Sequence, residues 1–483
     1  MLFKKMFLEI RKKKTIIIFA FLYSILIFSL SPINLPISDS AGYADIGKNL
    51  IKEGCFCSNS ELQIFRAPLY PLMIAFFMLI SGEMFMKLLP SVVSFFLIVV
   101  SFCFSLKITG SRKTALLTSV LFAFLPLVFY NSMQILSDIL FTLFTITAFW
   151  MYVRFLEDSS NRNLVPWSIF TAFAFFTRFT AVLLIPVFFF HFIFAKNQGP
   201  GRVRMKKFLS FLLIILIILT PWIFWRASVG PMNEAVVLES RFTNTFEGFI
   251  RLEMIALENG KPLNANNIAF EAVVPVQVIN TARIALMLLI FLTPFVSIFF
   301  VYVAYMFLRK DRDRGSCEFL LFVWVFTFLL FHTMFPYSVD SRYLLPIALP
   351  LTILFADRVS GIENQKLFAL FITAQLIISF SIIYVDSQSR WTRIQTEVFQ
   401  NAGFWLRDNT PLNSTVFSLG APVITYYSER LDVGAKNNPD YVIESNFVPS
   451  MGIENFMNQT DQRFFLVKEF SDKQYYVKIY RKA

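Results

Sequence analysis

Long apolar stretches, separated by short polar or charged segments, dominate the hydropathy pattern of this chain. A bilayer core about 30 Å thick needs roughly 20 mainly apolar residues in each helix that crosses it. With that window, the pattern predicts about eleven membrane-spanning helices. Their ranges are 15–32, 85–106, 114–132, 136–156, 164–178, 180–195, 208–225, 281–308, 318–335, 343–357 and 366–384.

The stretch 67–82 is apolar as well, but it differs from the predicted spans. It is short and contains Pro68 and Pro71. A short apolar segment is more typical of an interfacial helix than of a helix that crosses the bilayer. We therefore predict an interfacial helix here, in the first external loop.

Three segments are long and polar enough to fold outside the lipid: 33–66, about 226–280, and the tail 385–483. In the tail, an amphipathic pattern predicts a helix over Trp391–Asp408 that ends at Asn409-Thr410-Pro411. Short β-type runs follow at 414–419, 441–445, 464–470 and 475–481, with a helical run at 421–428. The predicted architecture is mainly α, with a transmembrane domain over 1–384 and a small external α/β domain over 385–483. The segment 226–280 is too long for a tight connection, so we predict that it forms a mobile cover.

Composition supports a membrane protein. Of the 483 residues, 56% are hydrophobic and only 16% are charged, and the mean hydropathy is +0.61. Soluble domains carry about 25% charged residues. These values exclude an ordinary soluble globule and favour a chain that crosses the membrane many times.

The formal net charge of +12 would suit a nucleic-acid partner only if the basic residues shared one face. Instead, Lys and Arg cluster before the first span and then in alternate loops, near 112–113, 154–162, 196–207, 309–314 and 358. The positive-inside rule explains this spacing. It predicts a cytoplasmic N terminus, an external C-terminal domain and no nucleic-acid partner. The first apolar run is long for a cleavable signal peptide, so we expect an uncleaved anchor.

Cysteine and histidine offer little material for a metal site. Cys55 and Cys57 lie in the first external loop, where a bridge between them would close a very small ring, so we expect two free thiols. The two histidines, His191 and His332, both fall in predicted spans. We predict no histidine-based metal site.

Charged residues collect at the external ends of the predicted spans. They are Asp39, Arg66, Asp138, Arg178 and Arg342, the last followed directly by Tyr343. Ionisable groups at membrane depth are costly, so each is a functional hypothesis. Arginine binds phosphate in a bidentate manner, and a carboxylate accepts a proton from a hydroxyl. The set therefore suits chemistry on an anionic, lipid-linked substrate.

Each of these residues also has a purely structural interpretation. Asp39 and Asp138 would cap helix N-termini, where a negative charge is favourable. Arg178 would extend from a tight turn to the interface. Arg66 and Arg342 would bind lipid headgroups. Their placement on one side, rather than any residue alone, favours a functional site.

The motifs around these residues resemble the GT-C class of integral-membrane glycosyltransferases. The resemblance is greatest to the bacterial relatives of protein O-mannosyltransferase and of the lipid A aminoarabinose transferase. The matching motifs are Asp39-Ser40-Ala41-Gly42-Tyr43-Ala44-Asp45-Ile46, Arg66-Ala67-Pro68, Asp138 at a span start, Thr177-Arg178, and Arg342-Tyr343-Leu344-Leu345-Pro346. Two features depart from the family pattern. Many members have two adjacent acidic residues where this chain has Asp39-Ser40, and the aminoarabinose branch has an arginine at the position of Gly42.

The resemblance implies a polyprenyl-phosphate-linked sugar donor and transfer with inversion to an external protein, glycan or lipid acceptor. It implies that Asp39 is the general base, assisted by Asp138, which would orient the acceptor or position the partners of Asp39. Arg66, Arg342, Arg178 and Tyr343 would hold the donor phosphate. Tyr43 and Asp45 would serve the acceptor or the loop, with Asp45 in an exposed helical run over 43–50. Whether a divalent cation takes part stays open.

Two other classes of function remain. A transporter or flippase of lipid-linked sugars would place its polar site near the bilayer midplane and often contain internal repeats. A non-catalytic assembly subunit would use the acidic residues only as helix caps. The charges lie at one interface and the chain shows no internal repeat, so a transferase is favoured.

Overall fold

The structure is a computed structural model that describes most of the chain. The described residues are 14–31, 39–58, 61–63, 66–82, 86–158, 160–194, 201–229, 254–258, 261–262, 273–275, 281–282, 284–288, 317–334, 341–388, 391–418, 422–432, 439–445, 453, 456–457, 462–471 and 476–483. Everything below refers to them.

Helices account for most of the described chain. They are α1 (Lys14–Leu30), α2 (Asp39–Lys52), α3 (Leu69–Ser81), α4 (Leu88–Thr109), α5 (Arg112–Ala123), α6 (Pro126–Ser132), α7 (Ser137–Asp158), α8 (Asn161–Thr177), α9 (Leu184–Phe194), α10 (Gly201–Val229), α11 (Cys317–Met334), α12 (Leu345–Ser360), α13 (Gln365–Gln388), α14 (Trp391–Asn409) and α15 (Pro422–Ser428). Two 3₁₀ turns, Phe179–Leu183 and Ser341–Leu344, precede α9 and α12. The mainly helical prediction is confirmed, and ten of the eleven predicted spans coincide with helices. Most of the span at 281–308 lies outside the described residues.

Among the described residues, fewer helices are long enough to cross a membrane than are apolar. Within the described part, four helical segments are long and apolar enough to cross a membrane: Leu88–Thr109, Ser137–Asp158, Met205–Ser228 and Ser341–Ser360. The pair α5 and α6 makes a fifth, bent by 63°. Pro126 begins α6 at this bend, and a proline has no N–H with which to continue the preceding helix. The chain is therefore multi-pass, while the count of eleven stays a prediction.

The helical core is packed with aromatic rings. Trp324 of α11 stacks on Phe149 of α7, with centroids 3.6 Å apart. Trp167 of α8 stacks on Phe211 of α10, at 3.8 Å. Both tryptophans are fully buried. Aromatic pairs of this kind add to the packing of the helices beyond the surface that they bury.

Helices α2 and α3 pack closely against each other. α3 has 13 residues and is about 20 Å long, so it is too short to cross a bilayer, as predicted. The helix predicted after Tyr43 is present, but its predicted exposure is wrong, because Ala44, Ile46 and Gly47 are buried. A Cβ atom on Gly47 would lie 2.7 Å from a methyl group of Ile74, so only glycine allows this approach. The predicted interfacial position of α3 stays a prediction.

The first loop also contains a disulfide between Cys55 and Cys57, whose Cα atoms lie 5.2 Å apart. The expectation of two free thiols is wrong. The chain reverses at Gly54, which has a φ of +66°, and Cys57 then starts the hairpin β1 (Cys57–Ser58) and β2 (Glu61–Leu62). The separation of the two cysteines is within the usual Cα range for a disulfide, about 4.4–6.8 Å.

The C-terminal region is a small α/β fold, as predicted. Its strands are β6 (Thr415–Ser418), β7 (Leu431–Asp432), β8 (Tyr441–Ser445), β9 (Phe464–Ser471) and β10 (Tyr476–Lys482). They form one sheet in the order β7-β6-β8-β10-β9, parallel around β6 and antiparallel around β10. The two-residue strand β7 is too short to give a sequence pattern and was not predicted. That this region is external stays a prediction.

The chain divides into two compact units. One contains 1–27, 91–132 and 137–384; the other contains 28–90, 133–136 and 385–483. The second unit therefore groups the first loop with the C-terminal α/β fold. The domain division predicted at residue 384 stays a prediction.

Of the predicted cover, the structure describes the end of α10 and a three-stranded antiparallel sheet of β3 (Met254–Glu258), β4 (Lys261–Pro262) and β5 (Val273–Pro275). The rest of the cover lies outside the described residues.

Candidate active site

The first candidate cluster begins with an ion pair in the helical unit. Asp138 lies in the first turn of α7, and Arg178 is the first residue after α8. Nη1 of Arg178 donates to Oδ1 of Asp138 at 2.6 Å. The carboxylate is 3% exposed. A negative charge at a helix N-terminus is favourable, so Asp138 both serves the helix, as its structural interpretation requires, and fixes Arg178.

Two guanidinium groups lie near the ring of Tyr343. The Cζ atoms of Arg178 and Arg342 lie 5.3 and 5.5 Å from the centre of its ring. Such cation–π contacts hold a guanidinium beside the ring without neutralising its charge. The sequence placed Arg342 and Tyr343 together because they are adjacent, and the fold brings Arg178 to them.

His332 is a member of this cluster that sequence reasoning missed. Its imidazole stacks on the ring of Tyr343, with centroids 5.7 Å apart and planes 12° apart. It is buried near the end of α11. Its position near the end of an apolar span was a usable indication, since ionisable residues there are costly. In the prediction from sequence, histidine was considered only as a metal ligand.

This first cluster holds two guanidiniums and one carboxylate. Arg178 pairs with Asp138, and Arg342 adds a second guanidinium close to Tyr343. The cluster can therefore accept an anionic group, and arginine matches the oxygens of a phosphate geometrically.

The second candidate cluster lies in the other unit, at the start of α2. Nη2 of Arg66 lies 3.6 Å from Oδ1 of Asp39, and its Nη1 donates to the Asp39 carbonyl oxygen at 3.4 Å. The Arg66 Cζ lies 4.5 Å from the ring centre of Tyr43. The resemblance implied separate roles for Asp39 and Arg66, whereas in the structure the two side chains are neighbours. Asp39 is in the first turn of α2, so its interpretation as a cap also stands.

Gly42 explains how Arg66 fits against this helix. A Cβ atom at Gly42 would lie 2.8 Å from Nη2 of Arg66. The side chain of Arg66 therefore occupies the space over the glycine. The resemblance puts an arginine of the aminoarabinose branch at the position of Gly42. In this chain, the guanidinium of Arg66 lies over that position instead.

Asp45 organises the loop that follows. Oγ of Ser58 donates to Oδ2 of Asp45 at 2.8 Å, and Nδ2 of Asn49 donates to the Cys57 carbonyl oxygen at 3.0 Å. Both bonds tie β1 back to α2. These contacts fit the loop role that the resemblance implied for Asp45.

The eight predicted site residues thus fall into two clusters, one in each compact unit. Asp39, Tyr43, Asp45 and Arg66 are in one; Asp138, Arg178, Arg342 and Tyr343 are in the other. Among the described residues, no group of three or more His, Cys, Asp or Glu side chains is placed to hold a metal ion. Participation of a divalent cation stays open.

Comparison with known proteins confirms the resemblance to the GT-C class. Residues 66–225 match the family model described as dolichyl-phosphate-mannose-protein mannosyltransferase. No curated protein matches the sequence.

Solved structures of two proteins share the fold. One is ArnT from Cupriavidus metallidurans bound to undecaprenyl phosphate, with TM-score 0.64 and 11% identity over 96% of this chain and 97% of that one. The other is the oligosaccharyltransferase of Archaeoglobus fulgidus in the apo form, with TM-score 0.57 and 12% identity over 89% and 69%. The same archaeal enzyme, tethered to an acceptor peptide containing the NVT sequon, matches at TM-score 0.57 and 11% identity over 94% and 72%. At these identities the likeness shows the fold alone.

Proposed function

We propose that this protein is a membrane glycosyltransferase that moves a sugar from a polyprenyl-phosphate-linked donor to an acceptor on the external face. The observation that carries the proposal is the pair of guanidiniums, from Arg178 and Arg342, held near the ring of Tyr343 in a unit of apolar helices. An anionic headgroup with a long apolar tail matches both features. The family match and the shared fold support the same class of enzyme.

In this mechanism the arginines hold the donor phosphate. Arg342 and Arg178 bind its oxygens, and the Tyr343 hydroxyl donates to it. The phosphate-binding role that the resemblance implied for Arg66 stays a prediction. As the bond between the sugar carbon and the phosphate oxygen breaks, the electron pair passes to the phosphate. Preorganised cations then stabilise the growing negative charge. Asp138 contributes by keeping Arg178 in place.

Asp39 is the proposed general base. Its carboxylate takes the proton of the acceptor hydroxyl while the hydroxyl oxygen attacks the sugar carbon opposite the leaving phosphate, which inverts that carbon. The side chain is 40% exposed, so an acceptor can reach it. Arg66 fixes its orientation. Tyr43 and Asp45 shape the surrounding loop.

The partners follow from this scheme. The donor is a polyprenyl-phosphate-linked sugar, and the acceptor is a protein, a glycan or a lipid. Solved relatives hold undecaprenyl phosphate in one case and an acceptor peptide in another. We place the protein in the cell membrane, with a cytoplasmic N terminus and an external C-terminal domain, because the basic clusters alternate along the chain.

Reconstitution into proteoliposomes tests the proposal. A donor radiolabelled in its sugar is added together with a cell-envelope extract as the acceptor source. A transferase moves the label into the extract and releases polyprenyl phosphate. A flippase carries intact donor to the other leaflet, and a non-catalytic subunit does neither. Either of these last two results would refute the proposal.

A further inference from the structure

Helix α2, which begins with Asp39, is held at its other end by the C-terminal α/β fold of the same compact unit. Nζ of Lys48 donates to Oε1 of Glu429 at 2.8 Å. The same ammonium lies 5.2 Å from the ring centre of Tyr426. The Lys48 side chain is only 13% exposed, against 44% for Glu429. Lys48 is thus enclosed between a carboxylate and an aromatic face.

The turn that carries Glu429 is a strained and reinforced structure. Glu429 has a φ of +52°, and no other non-glycine residue in the described part has a positive φ. A left-handed conformation is unfavourable for such a residue, because its Cβ atom comes too close to the following carbonyl oxygen. The next residue, Arg430, is buried and donates to the carbonyl oxygens of Arg407 at 2.6 Å and Thr410 at 2.7 Å. These bonds tie the turn to the end of α14 and hold the Glu429 backbone in place.

The helices on both sides of the contact between Lys48 and Glu429 are closely packed against their neighbours. A Cβ atom on Gly403 of α14 would lie 2.5 Å from Cβ of Tyr427 in α15, so these two helices touch through their backbones. On the other side, Gly47 allows the same close approach between α2 and α3. Lys48 follows Gly47 directly. Helix α2 is therefore held between α3 and the turn at Glu429.

Asp39 lies nine residues before Lys48 in the same helix, about 14 Å along its axis. A helix moves largely as one body, so a shift at Lys48 moves Asp39 and the pair Tyr43–Arg66 with it. A catalytic base must be held closely, because a misplacement of about 1 Å can reduce the rate by about 100-fold.

We propose that Lys48 and Glu429 are positioning residues for the transfer reaction, and that the C-terminal α/β fold acts through them to place Asp39. The inference rests on the proposed function. It makes the C-terminal fold part of the catalytic apparatus. Partly exposed ion pairs contribute little to stability, so the contact can be broken without unfolding the protein.

The test uses the full-length protein in proteoliposomes and three variants: Lys48→Met, Glu429→Asn and the double variant. Asparagine tolerates the left-handed backbone, so Glu429→Asn removes the carboxylate and keeps the turn. We expect each single variant to lower kcat about tenfold, since the base is displaced and not removed. The donor KM should stay within about twofold, because Arg178 and Arg342, which bind the donor phosphate, do not lie on α2. The double variant should be no worse than either single one, since all three break the same contact.

Two matched variants complete the design. Lys48→Arg keeps the charge and should keep kcat. Glu157→Gln breaks a different exposed ion pair, that with Lys107, and should also leave kcat unchanged. Wild-type kcat in Lys48→Met, or additive losses in the double variant, would overturn the positioning role.

Failure of the proposed function is distinguishable from failure of this inference. If the wild-type protein transfers no sugar, the proposed function fails, and amide hydrogen exchange over Asp39–Lys52 then tests the contact alone. Faster exchange there in Lys48→Met supports the mechanical link, and unchanged exchange overturns it.

Discussion

Arg178 and Asp138 are 40 residues apart in the chain, yet Nη1 of Arg178 lies 2.6 Å from Oδ1 of Asp138. The pair joins the end of α8 to the start of α7. It also sets the position of the guanidinium next to Tyr343. The Asp138 carboxylate thus acts on the proposed phosphate site through Arg178.

The first prediction concerns this pair. Asp138→Asn removes the buried carboxylate that pairs with Arg178, whose own side chain is 19% exposed. The loss should therefore not exceed the lower end of the roughly 3–5 kcal/mol that breaking a fully buried ion pair costs. We expect the free energy of unfolding in detergent to fall by about 3 kcal/mol. In the double variant Asp138→Asn, Arg178→Met, both charges are absent and the loss should be smaller. A double variant that is less stable than Asp138→Asn would contradict this explanation.

The second prediction concerns Asp39. Asp39→Asn keeps the shape of the side chain and removes its basicity, so kcat should fall by about 10²–10⁴-fold. Donor binding should survive, because the phosphate is assigned to arginines. Single-turnover transfer and equilibrium donor binding measure the two effects separately. The control is Asp45→Asn, which alters a loop contact of a neighbouring carboxylate and should cost much less. Transfer by Asp39→Asn at the wild-type rate would leave Asp39 only a helix cap.

The third prediction concerns Arg342. Arg342→Ala removes one of the two guanidiniums near Tyr343 in the proposed phosphate site, so donor binding should weaken first. A charge-assisted hydrogen bond contributes about 1.5–3 kcal/mol, which corresponds to about a 10- to 150-fold weaker Kd for the donor. Arg358→Ala, which removes an arginine near the end of α12, is the control and should not change the Kd. Equal Kd values for wild type and Arg342→Ala would remove Arg342 from the site.

The fourth prediction concerns pH. The hydrogen bond from Lys48, with the charges of nearby basic residues, lowers the pKa of Glu429 below its ordinary value. The folded state thus favours the carboxylate, so its stabilisation is present above the ordinary glutamate pKa. It is lost as the pH falls through the lowered pKa. Amides of α2 should exchange faster in Glu429→Asn than in wild type at about pH 7, and the difference should close at about pH 3. A difference that persists at the lower pH would exclude this cause.

The fifth prediction concerns topology. The alternation of basic clusters places the loop near residue 312 inside and the C terminus outside. Reporter fusions at these two positions should therefore report opposite compartments. The same compartment for both would mean that the number of crossings after residue 312 is even.

Local sequence patterns determined most of the secondary structure. The strand predicted at 441–445 has those bounds, and the helix predicted over Trp391–Asp408 ends one residue later, at Asn409. Apolar runs, prolines and short polar segments act on residues that are close in the chain, so they can be recognised in the sequence. The bend between α5 and α6 was not predicted, although Pro126 marks it in the sequence.

Only the tertiary structure decided which side chains meet. The sequence identified Asp39, Arg66, Asp138, Arg178 and Arg342 as a set, but not that Arg66 pairs with Asp39 and Arg178 with Asp138. It assigned no role in the site to His332, whose stacking on Tyr343 depends on how two helices pack. It also left Lys48 and Glu429 unconnected, although they are 381 residues apart and in contact. Hydropathy and turn chemistry are local properties, whereas these contacts arise from packing between distant segments, which leaves no periodic trace in a single sequence.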